Sequence, residues 1–172
     1  MKVLIVGGVA GGAGTAARLR RNDENAQIIL FEKGGYISFA NCGLPYYLGD
    51  VIADRDELLV QTPENFHAWF NVDVRVNSEI VSVDTRGRTV TVRDWKHDRI
   101  YAETYDALVL SPGAKAVKPP IPGVEKGHVF TLRSVEDAFR LKEFLAERRP
   151  KSCAVIGGGF IGLEMADNLH NL

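Results

Sequence analysis

Residues 2–32 read KVLIVGGVAGGAGTAARLRRNDENAQIILFE. Lys2 to Val6 is a continuous apolar run, the pattern of a central parallel strand buried on both faces. Gly7, Gly8, Gly11 and Gly12 follow at once. An alanine-rich helix is expected from about Ala10 to Arg21, then a second apolar strand from Gln27 to Phe31, ending in Glu32. Strand, glycine turn, helix, strand and terminal acid in this order predict a βαβ unit for the adenosine diphosphate part of FAD or NAD. Glycines let the backbone approach a pyrophosphate, the helix N-terminus faces it, and the carboxylate takes the ribose hydroxyls. In the G-x-G-x-x-G frame starting at Gly7 the middle position is Val9, so the fingerprint alone is imperfect. The ordered elements around it carry the prediction.

The end of the chain repeats its opening. Cys153 to Ile156 reads as a strand, with Cys153 a small core residue. Gly157, Gly158, Gly159, Phe160, Ile161 and Gly162 form a complete frame, and a helix runs on through Glu164. No second βα step follows it, so the sequence predicts a second unit begun and left incomplete, in an N-terminal fragment of a longer protein.

Between the two units, Tyr36 to Tyr47 reads YISFANCGLPYY. Cys42 follows a short β-like run and precedes a segment able to turn helical, with Asn41 as the expected N-cap and a proline of the kind a first helical turn tolerates. A thiol at a helix N-terminus is one whose thiolate is favoured. The other reading of a lone cysteine is a buried, inert side chain.

From Val72 to Tyr105 the pattern changes to alternation. VDVRV, EIVSVD, RTVTVRD and RIYAETY predict four strands of a small antiparallel meander, with Arg86 and Gly87 turning the middle pair. Trp95 and His97 fall near a strand end, His97 as a solvated residue. Thr62 is the expected cap of a helix from Pro63 to Phe70. Ala107 to Leu110 reads as a further buried strand running into a turn at Ser111 and Gly113, and Val129 to Leu132 as a short strand. Ser134, with Asp137 in the capping-box position, opens a helix to about Arg148. Pro119, Pro120 and Pro122 stiffen a linker between the halves.

The bulk numbers exclude several classes. With 21 basic and 22 acidic residues the net charge is −1, which favours neither nucleic acid nor an anionic membrane as partner. No apolar run reaches the length of a membrane span. Cys42 and Cys153 lie too far apart in sequence for a disulfide framework or a metal site, so the expectation is no metal and a cytoplasmic protein with reduced thiols.

Two dinucleotide-binding openings with a cysteine between them suggest a flavoprotein passing electrons from hydride to flavin to sulfur. The whole chain resembles the pyridine nucleotide–disulfide oxidoreductases. The resemblance implies an α/β, Rossmann-like three-layer fold with the meander as an insertion and the second Rossmann unit truncated. It assigns residues 1–118 to the first part of an FAD-binding domain, 119–150 to a linker and helix, and 151–172 to the start of an NAD(P)-binding domain. A homodimer is implied for the full-length protein.

Members with an internal disulfide carry two cysteines, and the second position here is Tyr47. SFANCGLPYY and VGGVAGG are similar to the single-cysteine branch, the coenzyme A-disulfide reductases and CoA-dependent persulfide or polysulfide reductases. That likeness implies FAD and NADH or NADPH as cofactors, coenzyme A in the site, and a small-molecule thiol, disulfide or sulfur substrate. Cys42 would be the catalytic thiol. Gly7, Gly8, Val9, Ala10, Gly11 and Gly12 would line the FAD pyrophosphate, with Glu32 on the adenosine ribose and Lys33 beside it. Ser38 and Asn41 would flank the reactive sulfur near flavin and CoA, and Val81 would offer backbone to the adenine. Ser111, Gly113 and Arg133 would approach the flavin nucleotide. Gly157, Gly159, Phe160, Ile161, Gly162 and Glu164 would open the nicotinamide nucleotide site. Arg18 and Arg21 would meet CoA phosphates, or serve only as favourable charge at a helix C-terminus. Some CoA-disulfide reductases carry a lysine where Phe70 sits, which tilts the expectation towards persulfide or polysulfide. The alternatives are an NADH oxidase or peroxidase cycling through a cysteine sulfenic acid, and a dinucleotide-binding module without chemistry.

Overall fold

The computed structural model describes residues 1–172. Strands are β1 Lys2–Val6, β2 Gln27–Phe31, β3 Asp73–Arg75, β4 Ser78–Asp84, β5 Thr89–Asp94, β6 Arg99–Thr104 and β7 Ala107–Leu110; α-helices are α1 Ala10–Asn22, α2 Leu44–Leu48, α3 Pro63–Phe70, α4 Val135–Arg148 and α5 Phe160–His170. The chain divides into two compact units, one of Met1–Phe39 with Leu59–Gly113, the other of Ala40–Leu58 with Ala114–Leu172. No helix is long and apolar enough to cross a membrane.

The first unit is built in three layers. Its middle layer is a parallel sheet in the order β3-β2-β1-β7. Side chains alternate across a strand, so the continuous apolar runs of β1 and β2 serve two cores at once. Val3, Ile5, Ile28 and Leu30 pack with Ala13 and Ala16 of α1 and Phe66 of α3. Leu4, Ile29 and Phe31 pack on the other face with Val90 and Val92 of the antiparallel sheet β4-β5-β6. Thr62 caps α3 by accepting the Asn65 amide.

One expected strand belongs elsewhere. VDVRV does not join the meander: β3 pairs parallel with β2, Val74 opposite Leu30, and the antiparallel sheet has three strands. An alternating segment fits either sheet, and here Val72 and Val74 are taken by the α1–α3 core. Arg75 then faces the meander and joins the layers, donating to Glu103 Oε2 at 2.8 Å and the Tyr101 hydroxyl at 3.1 Å, beside its own Asp73. Burial opposes its charge, but the Asp73, Glu103 and Tyr101 hydrogen bonds outweigh it and raise its pKa.

The hairpin turns are held by side-chain acceptors, as aspartate favours. Asp84 Oδ1 takes the amides of Arg86 and Gly87. Asp94 takes those of Lys96 and His97, together with His97 Nδ1 at 2.8 Å and Arg99 Nε at 2.9 Å. His97 is therefore partnered as well as solvated.

The second unit is helical. A 3-10 turn, Asn41–Gly43, leads into α2, and a second, Arg55–Leu58, closes that segment. Helix α4 starts in a full capping box between Ser134 and Asp137. Two expected strands do not form. Residues 151–157 are irregular and exposed, Ile156 at 83%, and Cys153 is exposed rather than in a core. A strand needs a neighbour to satisfy its amides and carbonyls, and this unit contains no other strand. Val129 to Leu132 is likewise irregular; Phe130 instead packs its ring, tilted, against that of Phe144 of α4, 4.9 Å between centroids.

Candidate functional site

The first glycine turn is a tight backbone crossing. Gly7 has φ +96°, and a Cβ there would stand 2.0 Å from the Ser111 carbonyl oxygen; one on Gly12 would stand 1.7 Å from the Gly7 carbonyl oxygen. Only glycine permits these approaches. They bring the ends of β1 and β7 together at the start of α1, where Ser111 also donates its amide to Val6. No side chain caps α1 and no acid stands in its first turn, so the amides of Ala10, Gly11 and Gly12 are left for an anion. Glu32 is fixed beside them, Oε2 accepting from the Gly8 amide at 2.7 Å and Oε1 from Gly34 at 2.8 Å. Each carboxylate oxygen keeps a lone pair for a ribose hydroxyl. The residues present therefore fit the pyrophosphate and ribose of a dinucleotide.

Ser38 adjoins this turn: its amide donates to the Gly8 carbonyl at 2.9 Å, and its own carbonyl accepts from Val60 at 2.9 Å. Its φ of +45° is left-handed backbone on a residue with a Cβ, a conformation held by those bonds. Gly113 also has positive φ, +68°. Val81 lies at the irregularity between Ile80 and Ser82 in β4 and is 52% exposed. Lys33 points to Glu79, at 2.7 Å, and the Lys33 hydrogen bond lowers the Glu79 pKa.

Arg18 and Arg21 are exposed on α1. Arg20, which sequence reasoning passed over, is the arginine that is engaged. It donates to the carbonyls of Phe70 and Asn71 at 2.8 and 2.9 Å, and to Asp23 and Glu24, tying the ends of α1 and α3. Three arginines within four positions gave no sign of which one turns inward.

In the second unit Cys42 is exposed and unpaired, which removes the buried-thiol reading. It lies inside the 3-10 turn, and the N-cap of α2 is Gly43. Asn41 therefore caps nothing: its Oδ1 accepts from Arg133 Nη1 at 3.1 Å. Arg133 also donates through Nε to the Ala114 carbonyl at 3.2 Å. Tyr47, the position of the absent second cysteine, is buried edge-on to Phe139 at 5.7 Å between centroids. Lys142 of α4 closes the far end of α2, donating to the carbonyls of Tyr47 and Leu48, both at 3.0 Å, and to Asp50 at 2.7 Å.

The second glycine turn repeats the first. Gly157 has φ +113°, a Cβ on Gly162 would stand 2.0 Å from the Gly157 carbonyl oxygen, and α5 starts at Phe160 without a side-chain cap. Glu164 accepts the Asn168 side-chain amide on its carbonyl at 2.8 Å. The crossing forms although no strand precedes it.

The family model described as pyridine nucleotide-disulphide oxidoreductase matches residues 1–172. The chain belongs to that family. A coenzyme A disulfide reductase of Staphylococcus epidermidis is 39% identical over 170 residues, 99% of this chain and 38% of its own length. Among solved structures, reduced Bacillus anthracis CoADR-RHD is 53% identical with a TM-score of 0.97, over 99% of this chain and 31% of that one. A NAD-dependent persulfide reductase from A. fulgidus is 38% identical with a TM-score of 0.94, over 99% and 32%. The chain thus spans about 38% of the length of the curated relatives it matches.

Proposed function

We propose that this chain supplies the FAD cradle and the single redox cysteine of an NAD(P)H-dependent flavoprotein that reduces CoA disulfide, CoA persulfide or polysulfide. One observation carries the reading. Cys42 is exposed and unpaired, and the place where an internal partner would stand is filled by buried Tyr47. A thiol in that setting needs an outside partner, a sulfur compound or oxygen. The likeness to coenzyme A disulfide and persulfide reductases supports the sulfur compound.

Gly7 to Gly12 and Glu32 would hold the pyrophosphate and ribose of FAD, and the turn at Gly157 to Gly162 would receive NAD(P)H. FAD supplies the relay that turns a two-electron hydride into a reductant for sulfur. The Cys42 thiolate attacks one sulfur of the substrate disulfide or persulfide. The new bond joins Sγ to that sulfur, the old S–S bond breaks, and the departing thiolate leaves with its electron pair. Two electrons, which NAD(P)H would supply, would then cleave the new Sγ–S bond, restoring the Cys42 thiolate and freeing the transferred sulfur as a thiol or sulfide after protonation. The full-length protein is read as a cytoplasmic homodimer.

The test is a panel of acceptors offered to the full-length protein, each followed by NAD(P)H loss: CoA disulfide, CoA persulfide, polysulfide and oxygen. Cys42→Ser should abolish sulfur reduction and leave flavin bound. Undiminished turnover in that variant would sink the single-cysteine mechanism, and oxygen as the preferred acceptor would move the assignment to an NADH oxidase.

A further inference from the structure

Arg133 does not stand alone beside the cysteine segment; it is built into a rigid support. Its amide donates to Asp137 Oδ2 at 3.1 Å, as the residue just before the Ser134–Asp137 capping box of α4. Its guanidinium is then spread over two acceptors, the Ala114 carbonyl through Nε and Asn41 Oδ1 through Nη1. A guanidinium is planar and has donors only. It can therefore meet only the oxygen of the Asn41 carboxamide, and the flip of that group is set. The Asn41 amino group, with two donors, is left without a protein partner in the residue next to Cys42.

We propose that Arg133 is a positioning residue for the sulfur chemistry, holding the Asn41 carboxamide so that its amino group donates to the thiolate that leaves when Cys42 attacks. The inference rests on the reading of Cys42 as the redox thiol. Charge develops on the departing sulfur as the S–S bond breaks, and a donor fixed in advance stabilises it without reorganisation. Released from Arg133, the carboxamide is no longer held with its amino group towards that charge, and its oxygen repels it. Arg133 thereby acts on the sulfur through Asn41, and its loss costs what the loss of Asn41 costs.

A double-mutant cycle in the full-length protein tests this, with CoA disulfide as the probe. Arg133→Met and Asn41→Ala should each lower kcat by about tenfold, the scale of one oriented hydrogen bond, with KM nearly unchanged. The double variant should be no slower than Asn41→Ala alone, as expected for residues acting as a unit. Arg133→Lys, which keeps one charged donor, should recover part of the loss, and it carries the same cycle where Arg133→Met fails to fold. Flavin content should match wild type throughout. Losses that multiply to about a hundredfold in the double variant overturn the proposal, and so does loss of flavin from Arg133→Met, which would assign Arg133 to the cofactor. Cys42→Ser run alongside separates the layers: if it keeps its turnover, the underlying reading has failed and this proposal falls with it.

Discussion

A side-chain carbon on Gly12 would overlap the carbonyl oxygen of Gly7, 1.7 Å away. The first helix starts against the end of the first strand with no room between them. Gly12→Ala must therefore push α1 off the turn, at a cost of about 1–3 kcal/mol for overpacking. The expected outcome is a full-length protein purified with most of its flavin absorbance lost. Gly162→Ala, which meets the Gly157 carbonyl in the same way, should instead spare flavin and weaken NAD(P)H binding in a titration. Wild-type flavin content in Gly12→Ala would show that the turn can open without loss of the cradle.

Lys142 closes the C-terminal end of α2 with two carbonyl contacts and an ion pair. Helix ends leave carbonyls without intrahelical partners, and a cation there is favourable. Lys142→Met should destabilise the second unit by about 1–2 kcal/mol. The local signature is faster amide hydrogen exchange over residues 44–50, read by mass spectrometry. Unchanged exchange there would show that packing of Tyr47 and Leu48 holds α2 without the lysine.

Asp94 predicts an acid-labile hairpin. The His97 hydrogen bond, with help from Arg99, holds its carboxyl down at about 2 although burial works the other way. An unfolded aspartate titrates near 3.9. A carboxylate depressed in the folded state adds stability above the unfolded value and loses it as pH falls towards the folded one. Wild type should therefore be more stable than Asp94→Asn above about pH 4, and the two should converge as pH approaches 2. Denaturant midpoints measured across that range check the sign; a gap that persists to the acid end would put the effect in neutral hydrogen bonds.

Local signals announced themselves in the sequence where one short stretch contains all the physics. The strand–glycine–helix–strand–Glu32 order, the Thr62 and Ser134 caps and the Asp84 turn each follow from neighbours a few residues apart. Reading failed where the decisive partner is distant. The VDVRV alternation is the same for either sheet, and only the vacant side of β2 decides where β3 pairs. Cys153 to Ile156 has strand composition but no strand beside it. Asn41 is a good helix cap by type, yet Arg133, remote in sequence, takes its oxygen. Lys142 sits on an amphipathic helix among other charged residues, and nothing local marks it as the one that reaches Asp50.

The supports of the cysteine segment also have an order in time. Arg133 follows Asn41, and Lys142 follows Asp50, by 92 positions in each case. At a ribosome's pace of about 5–20 residues per second, roughly 5–20 s separate the synthesis of the cysteine segment from that of either support. During that interval Cys42 is an ordinary cysteine on a nascent chain, open to whatever oxidant the compartment holds. In those seconds only the cell's reducing pool keeps the thiol reduced, and the geometry that sets its neighbours comes later.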